Sequence, residues 1–418
     1  MIEGQVGLHP RIPTPEQEKQ ALRAVSLAQF ITFSAIYLLF FASIAFVEGV
    51  TQSSAQTGWM VMCFSLPGFV LAMLAGVWVD RTDRRRFMIV GNMFGMAIAM
   101  AFIAAAMWMR SMVWVVLFSG NCILSGVIQF SASARDSILP RAVRKRNLFS
   151  ANSIPLVAVL GAQALGAVLL APTLYRVGGI PLAGAAAVVL FGLAVWATAR
   201  IPPSVGQLQA PVETDVSGLW PELRIGWGFI RQEPSVRGAI FVLVLANAWM
   251  LMMAALLPGL ATRVWKAPIS SATYFAIPGG LGFASGLWLI SKWGRRRPAA
   301  DWIHAGLFTL AIGLAFFPRL GKLEGIETLH FLLLSICVGM SFALLLIPSR
   351  SIVQEWSPDS IRGRVISTQL FLQNVGAAIP LPLVGGVADK FGFKFVFTGL
   401  AVITLAAGVL SIWSARRE

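Results

Sequence analysis

Few residues in this sequence are equipped for chemistry, and those few are suited to moving protons or holding charge rather than to breaking bonds. Glu48 closes one long apolar stretch, while Asp301 opens another with His304 one turn later. His titrates near neutral pH, and a carboxyl withdrawn from water can hold a proton. Glu48, Asp301 and His304 are therefore the first candidates if the protein couples its work to protons; the alternative is that they only anchor their segments at a polar interface. With three His residues and no carboxylate deep inside an apolar stretch, neither a nucleophile with its base nor a metal cluster can be assembled. Cys63, Cys122 and Cys337 lack the paired spacing of a disulfide framework or zinc site and read as small packing residues. A Gly-rich phosphate loop followed by Lys is also missing. The expectation is a protein with no enzymatic activity, no cofactor and no nucleotide-driven step.

A second set of charges is ordered rather than scattered. The segment GVWVDRTDRRR places a small residue, Gly76, then Asp80, then Arg81, Arg84 and Arg85. A carboxylate at such a point can face the N-terminus of a helix elsewhere in the chain, where unpaired backbone donors and the helix dipole favour negative charge. Asp80 is the residue expected to do this. Its counterpart is PDSIRGRV, Pro358 to Val365, with Asp359, Arg362 and Arg364 as partners, and together these contacts would latch one side of the molecule shut. As solvated surface pairs they would contribute only about 0 to 1 kcal/mol each; the order of the residues favours the latch.

The elements that must position these residues are long apolar helices. Only 12% of the chain is charged and 57% is hydrophobic, against roughly 25% charged in soluble domains. A net charge of +15 would suit a nucleic-acid binder if it formed one stripe, but the basic residues sit in short runs between apolar stretches, which excludes that reading and is how membrane proteins set their orientation. Roughly 20 apolar residues cross a bilayer, and on that rule twelve spans centre near residues 36, 68, 98, 123, 160, 189, 249, 280, 309, 338, 376 and 403. The tails and even-numbered loops carry 25 of the 33 Lys and Arg residues. Both termini are therefore expected in the cytoplasm, in a multi-pass protein of the cytoplasmic membrane. The polar first 23 residues give no sign of a cleavable signal.

The second six span centres follow the first six at offsets of 211 to 216 residues, and DRTDRRR at 80–86 aligns without gaps on SKWGRRR at 291–297. A duplicated six-helix unit is implied, with a tail over 1–23, bundles over 24–201 and 238–414, a linker over 202–237 and a tail over 415–418. Within the linker, Leu219, Trp220, Leu223, Trp227 and Ile230 recur at helical spacing, predicting an amphipathic helix along the membrane surface. The run GAAIPLPLVGG, Gly376 to Gly386, predicts a flexing or close-packed helix.

The Gly76–Arg86 segment resembles the loop motif of the major facilitator superfamily. Three further stretches, LPRAVRKRNLFSAN (139–152), ELRIGWGFIRQEPSVRG (222–238) and PDSIRGRVIS (358–367), look like its transmembrane secretion effector branch, which includes siderophore and macrolide exporters. The resemblance implies an all-α membrane protein of twelve transmembrane helices in two six-helix halves, exporting a small molecule by alternating access. Asp83 stands where the family pattern has Gly, so a left-handed turn would have to be made by Asp, one of the better substitutes. AQALGAVL (162–169) stands where drug and proton antiporters carry GPxxGG, and the fourth span has no embedded Arg; both weigh against proton antiport.

By the same resemblance, spans one, four, seven and ten line a cavity, to which this chain contributes Gln29, Ser34, Tyr37, Asn121, Gln129, Asn247, Trp249, His330, Ser335 and Ser341. A lining without fixed charge cannot offset the desolvation of an ion, so the expected substrate is hydrophobic or amphiphilic. A lipid or lysolipid flippase fits the same lining, and a transporter-like scaffold that moves nothing fits the missing mid-span acids. The expected partners are membrane lipid and a small-molecule substrate, with no nucleic acid, and the protein is expected to be a monomer.

Overall fold

In lipid, a backbone that leaves its N–H and C=O groups unpaired is costly, so an apolar run of this length has to be helical. The computed structural model describes residues 15–80, 83–109, 112–142, 158–159, 161–201, 219–266, 272–319, 326–358 and 360–415. Among them there are helices and turns and no strand. The first spans are α1 (Pro15–Thr51), α2 (Ser54–Asp80), α3 (Arg84–Trp108) and α4 (Val113–Ala142). A π-helical stretch, Ala164–Leu170, leads into α5 (Ala171–Ala199), which breaks at Gly178 and Gly179, where φ of Gly179 is 62°. That break is the turn between the fifth and sixth spans.

The second half repeats the pattern. Following the linker helix α6 (Leu219–Gln232) come α7 (Pro234–Gly259), α8 (Ala272–Trp293), α9 (Ala299–Phe316) and α10 (Ile326–Trp356). The eleventh span is divided into α11 (Arg362–Ala378) and α12 (Leu381–Phe391), and α13 (Phe393–Ala415) is the last. Pro380 has no N–H to give and its ring crowds the preceding turn, so the helix is interrupted at Ile379 and Pro380, inside the run expected to flex. Every expected span centre falls within one of these helices except 160, which lies outside the described residues. Nine helical segments among the described residues are long and apolar enough to cross a membrane.

Packing is inverted only at the perimeter. Ile36, Leu39, Phe102, Leu117 and Phe191 form the inner seam of the first half, and Trp265, Leu307, Phe317 and Phe397 that of the second. Phe94, Met107, Leu281, Ile312, Leu383 and Leu410 are exposed on the outside, an apolar surface suited to acyl chains. In the linker helix Ile230 is buried against Val236, Val353 and Val365, while Trp227, expected on the same apolar face, is exposed, as is Ile225.

One local expectation is corrected. Asp83 does not make a left-handed turn; at φ −66°, ψ 108° it is the N-cap of α3, and its carboxylate accepts from the backbone N–H groups of Arg85 and Arg86 at 3.0 and 3.1 Å. The Asp satisfies two donors that the first helical turn leaves unpaired, a service Gly cannot give. Asp83→Ala is expected to destabilise this end of α3 by about 1 kcal/mol, read as a small drop in the melting temperature of the detergent-solubilised protein, whereas Asp83→Ser restores it.

Candidate functional site

The N-terminus of α1 and the start of α3 define one end of the bundle, the near end; α1 stops and α2 starts at the far end. There, four segments from both halves bring charge together. Glu48 sits in the last turn of α1 and is fully buried. Gln52 and Ser53 turn the chain, with Gln52 at φ 51°, and α2 begins at Ser54. Arg263 comes from a π-helical turn, Leu260–Val264, that continues α7, and Asp389 comes from the last turn of α12.

Arg263 serves both acids. Its Nη1 lies 2.8 Å from Asp389 Oδ1 and its Nη2 lies 3.2 Å from Glu48 Oε1; Nη2 also donates to Ser54 Oγ, and the guanidinium carbon is 4.7 Å from the centre of the Phe393 ring. Thr57 Oγ1 donates to Glu48 Oε2 at 3.1 Å. Asp389 accepts from Ser53 Oγ at 2.8 Å and from the backbone N–H groups of Ser54 and Ala55 at 2.8 and 3.0 Å. It thus caps α2 from the other half of the molecule, and the positive end of that helix helps one guanidinium balance two carboxylates.

Shape reinforces charge. Gly58 and Gly385 let α2 and α12 meet backbone to backbone: a Cβ on Gly58 would lie 2.7 Å from the Leu381 carbonyl oxygen, and one on Gly385 would run into the Ser54 carbonyl. Small residues permit such crossings between membrane helices. The two halves are therefore in direct contact at the far end.

The near-end charges are arranged differently. Arg84 is buried, 3% exposed. Arg85 donates to the carbonyl of Ala199, capping the end of α5 within the first half, where a cation suits the helix C-terminus. Arg362 donates to the Ser357 carbonyl at 3.1 Å within the second half, and Arg364 is half-buried, its carbonyl accepting from Thr368 at 2.8 Å. Gly76 and Asp80 fall in the last turns of α2, but their side-chain surroundings, like Arg81 and Asp359 altogether, lie outside the described residues.

The other anticipated site residues are spread along the bundle. Gln29 donates to the Ser131 carbonyl at 2.9 Å and Asn121 to Ser43 Oγ at 3.0 Å, both joining α1 to α4. Asn247 donates to the Gln373 carbonyl at 3.0 Å, joining α7 to α11. Ser34, Ser335 and Ser341 turn back onto carbonyls of their own helices. The Tyr37 ring packs against Phe64 at 6.3 Å, Gln129 is half-buried and His330 is exposed at the start of α10. Gln29 Oε1, Asn121 Oδ1 and the buried Trp249 Nε1 have no hydrogen-bond partner among the described residues. Asp301 is exposed, and His304 Nε2 is 3.0 Å from Ser411 Oγ.

Sequence reasoning selected Glu48 and missed Arg263, Asp389, Ser53, Ser54 and Thr57. A signal for Asp389 was present: in GGVADKFGFK, Gly385 to Lys394, small residues precede an Asp and then Lys, the same order as in Gly76–Arg86.

Comparison with known proteins agrees with this architecture. The nucleoside transporter NupG superposes with a TM-score of 0.72 at 14% identity, covering 95% of this chain and 98% of that one. The POT family transporter PepTSo does so with a TM-score of 0.72 at 12% identity, covering 97% and 99%. A bacterial homologue of the human lysosomal transporter Spinster, solved inward-facing and unoccupied, gives 0.70 at 14% identity, covering 96% of each. These likenesses speak to the fold alone. No curated protein sequence matches the chain. The sequence profile of the Major Facilitator Superfamily matches residues 25–321 and 299–418, and the chain belongs to that superfamily of multi-pass membrane transporters.

Proposed function

We propose that the protein is a secondary transporter that moves a small hydrophobic or amphiphilic molecule across the cytoplasmic membrane by alternating access, in the direction of export, and that Glu48, Arg263 and Asp389 form its far-end gate. The observation that carries this reading is the ion cluster itself. Beside the α2–α12 crossing it joins the first six spans to the last six through side chains and one helix terminus, contacts that a rocking motion of the halves can break and remake. With the termini in the cytoplasm, the sealed end is the external one. Asp80 with Arg362 or Arg364 would form the corresponding latch at the near end when the far end opens. One polypeptide supplies both halves of each contact, so a monomer suffices.

Two features support the substrate class. The lining offered by α1, α4, α7 and α10 has Phe30, Phe41, Met250, Met253 and Phe342 among its apolar side chains, and Met-rich surfaces adapt to varied shapes. The unpartnered atoms of Gln29, Asn121 and Trp249 offer two acceptors and one donor to a polar group on an otherwise apolar solute. If protons drive the transport, Glu48 is the coupling residue, because opening removes its cation and a proton takes over the charge balance; the departures from the antiporter patterns at 162–169 and in the fourth span then mean that coupling does not run through those positions. Asp301 and His304 are the alternative pair, and lie at the near end.

The test is transport by the full chain in proteoliposomes, using a panel of fluorescent neutral and zwitterionic amphiphiles together with NBD-labelled lysophosphatidylcholine, with and without a proton gradient. Gradient-dependent movement of an amphiphile is expected, and Glu48→Gln is expected to abolish the dependence on the gradient. Movement of the lysolipid alone would assign the flippase reading. No movement of any probe in either condition would leave the scaffold reading and remove this one.

A further inference from the structure

The linker helix α6 does more than join the halves. With α11 it encloses a concavity of about 890 Å³ whose walls include Leu223, Trp227, Phe371 and Leu372, with Thr368 on the α11 side and Arg224 among its lining. That volume lies in the range of small-molecule sites, roughly 300 to 1,000 Å³. The groove is also fixed in shape. The two helices cross at Gly226, where a Cβ would lie 2.6 Å from the Arg364 carbonyl oxygen, and the Thr368 hydroxyl, bonded to that same carbonyl, also lies 3.4 Å from the carbonyl of Leu223.

Charge and apolarity meet at this groove in an unusual combination. Arg224 is exposed and has no carboxylate partner among the described residues. Arg231 and Arg237 stand on the same end of the molecule, linked through a hydrogen bond from Arg237 to the Arg231 carbonyl at 3.1 Å. Ile225 and Trp227 are 42% and 45% exposed beside them. Trp and Arg favour the membrane–water boundary, where an apolar body and a polar tip are both satisfied. A small soluble anion would use the guanidinium and waste the apolar walls; an uncharged lipid would use the walls and leave Arg224 unmatched.

We propose that the groove between α6 and α11 holds one anionic phospholipid of the surrounding bilayer, an acyl chain lying along Leu223, Phe371 and Leu372 and the phosphate paired with Arg224. The site is separate from the ion cluster, which lies at the opposite end, and its occupancy does not depend on what the protein transports. A lipid in this position fastens the linker helix to the second half and leaves the first half free to move.

The full chain, purified in detergent and supplied with phosphatidylglycerol or with phosphatidylcholine of the same acyl chains, tests this by native mass spectrometry. One phosphatidylglycerol is expected to stay bound where phosphatidylcholine is lost. Arg224→Gln changes an exposed side chain and is expected to weaken phosphatidylglycerol retention roughly fivefold, the contribution of one basic residue near an anionic headgroup, with phosphatidylcholine unaffected. Leu372→Trp fills the groove and is expected to displace lipid whatever its headgroup; should that variant not fold, Arg224→Gln decides alone. Equal retention of the two lipids by the unaltered protein, or Arg224→Gln retaining phosphatidylglycerol as the unaltered protein does, overturns the proposal. So does a dimer that both variants dissociate, which would give the groove to a second copy of the chain.

Discussion

Replacing Arg263 by Met is expected to open the far end in most molecules. Glu48 would remain fully buried with its cation gone, and breaking a buried pair by removing one partner costs about 3 to 5 kcal/mol. Arg263 and Asp389 side chains are 24% and 25% exposed, and Asp389 keeps its hydrogen bonds to α2, so the lower figure applies. About 3 kcal/mol corresponds to a shift of roughly a hundredfold or more in the ratio of sealed to open molecules. Spin labels at Gln56 and Lys390, exposed positions on the two halves, report the separation through dipolar broadening once Cys63, Cys122 and Cys337 are replaced by Ala. Adding Glu48→Gln to Arg263→Met removes the orphaned charge and should recover much of the sealed population, a non-additivity that marks direct coupling. An unchanged label separation in Arg263→Met alone would mean that the cluster does not hold the halves.

The second large effect is steric. Gly385→Ala places a methyl group against the backbone carbonyl of Ser54, and backbone cannot swing aside as a side chain can. Overpacking of this kind costs about 1 to 3 kcal/mol, and contact with backbone argues for the upper part of that range, so the sealed state should lose roughly tenfold to a hundredfold in population and transport should fall with it. Gly386→Ala is the internal control, because its Cβ would meet only the Ala55 Cβ at 4.0 Å, an ordinary contact. Equal transport and equal label separation in the two variants would show that the α2–α12 crossing is not needed for closure.

The contrast between what the sequence made plain and what it hid follows from the range of the forces involved. Spans are written locally: each is a run of apolar residues whose length is fixed by the bilayer, so all the centres that fall on described residues could be placed within the helices found. The same holds for the interruption at Pro380 and for the helix in the linker, where the deciding information lies within a dozen neighbouring residues. Asp83 was misjudged because a short polar residue serves equally as a left-handed turn former and as an N-cap, and only the backbone angle separates the two. The ion cluster was hidden for a different reason. Its residues come from three distant stretches, the Glu48–Ser54 turn, Arg263 and Asp389, and in sequence Arg263 and Asp389 look like ordinary loop charges on the sparsely charged side. What the anticipated polar residues of the spans do was also illegible, since helical spacing cannot say that Gln29 and Asn121 would each reach across from one helix to another.

Arg263 stands 215 residues after Glu48, so acid and base occupy nearly the same place in the two six-helix units. Two identical subunits meeting there would set like against like, either two carboxylates or two guanidinium groups, and would repel. Copies that change separately, as the two halves of one fused chain do, can put opposite signs at matching places.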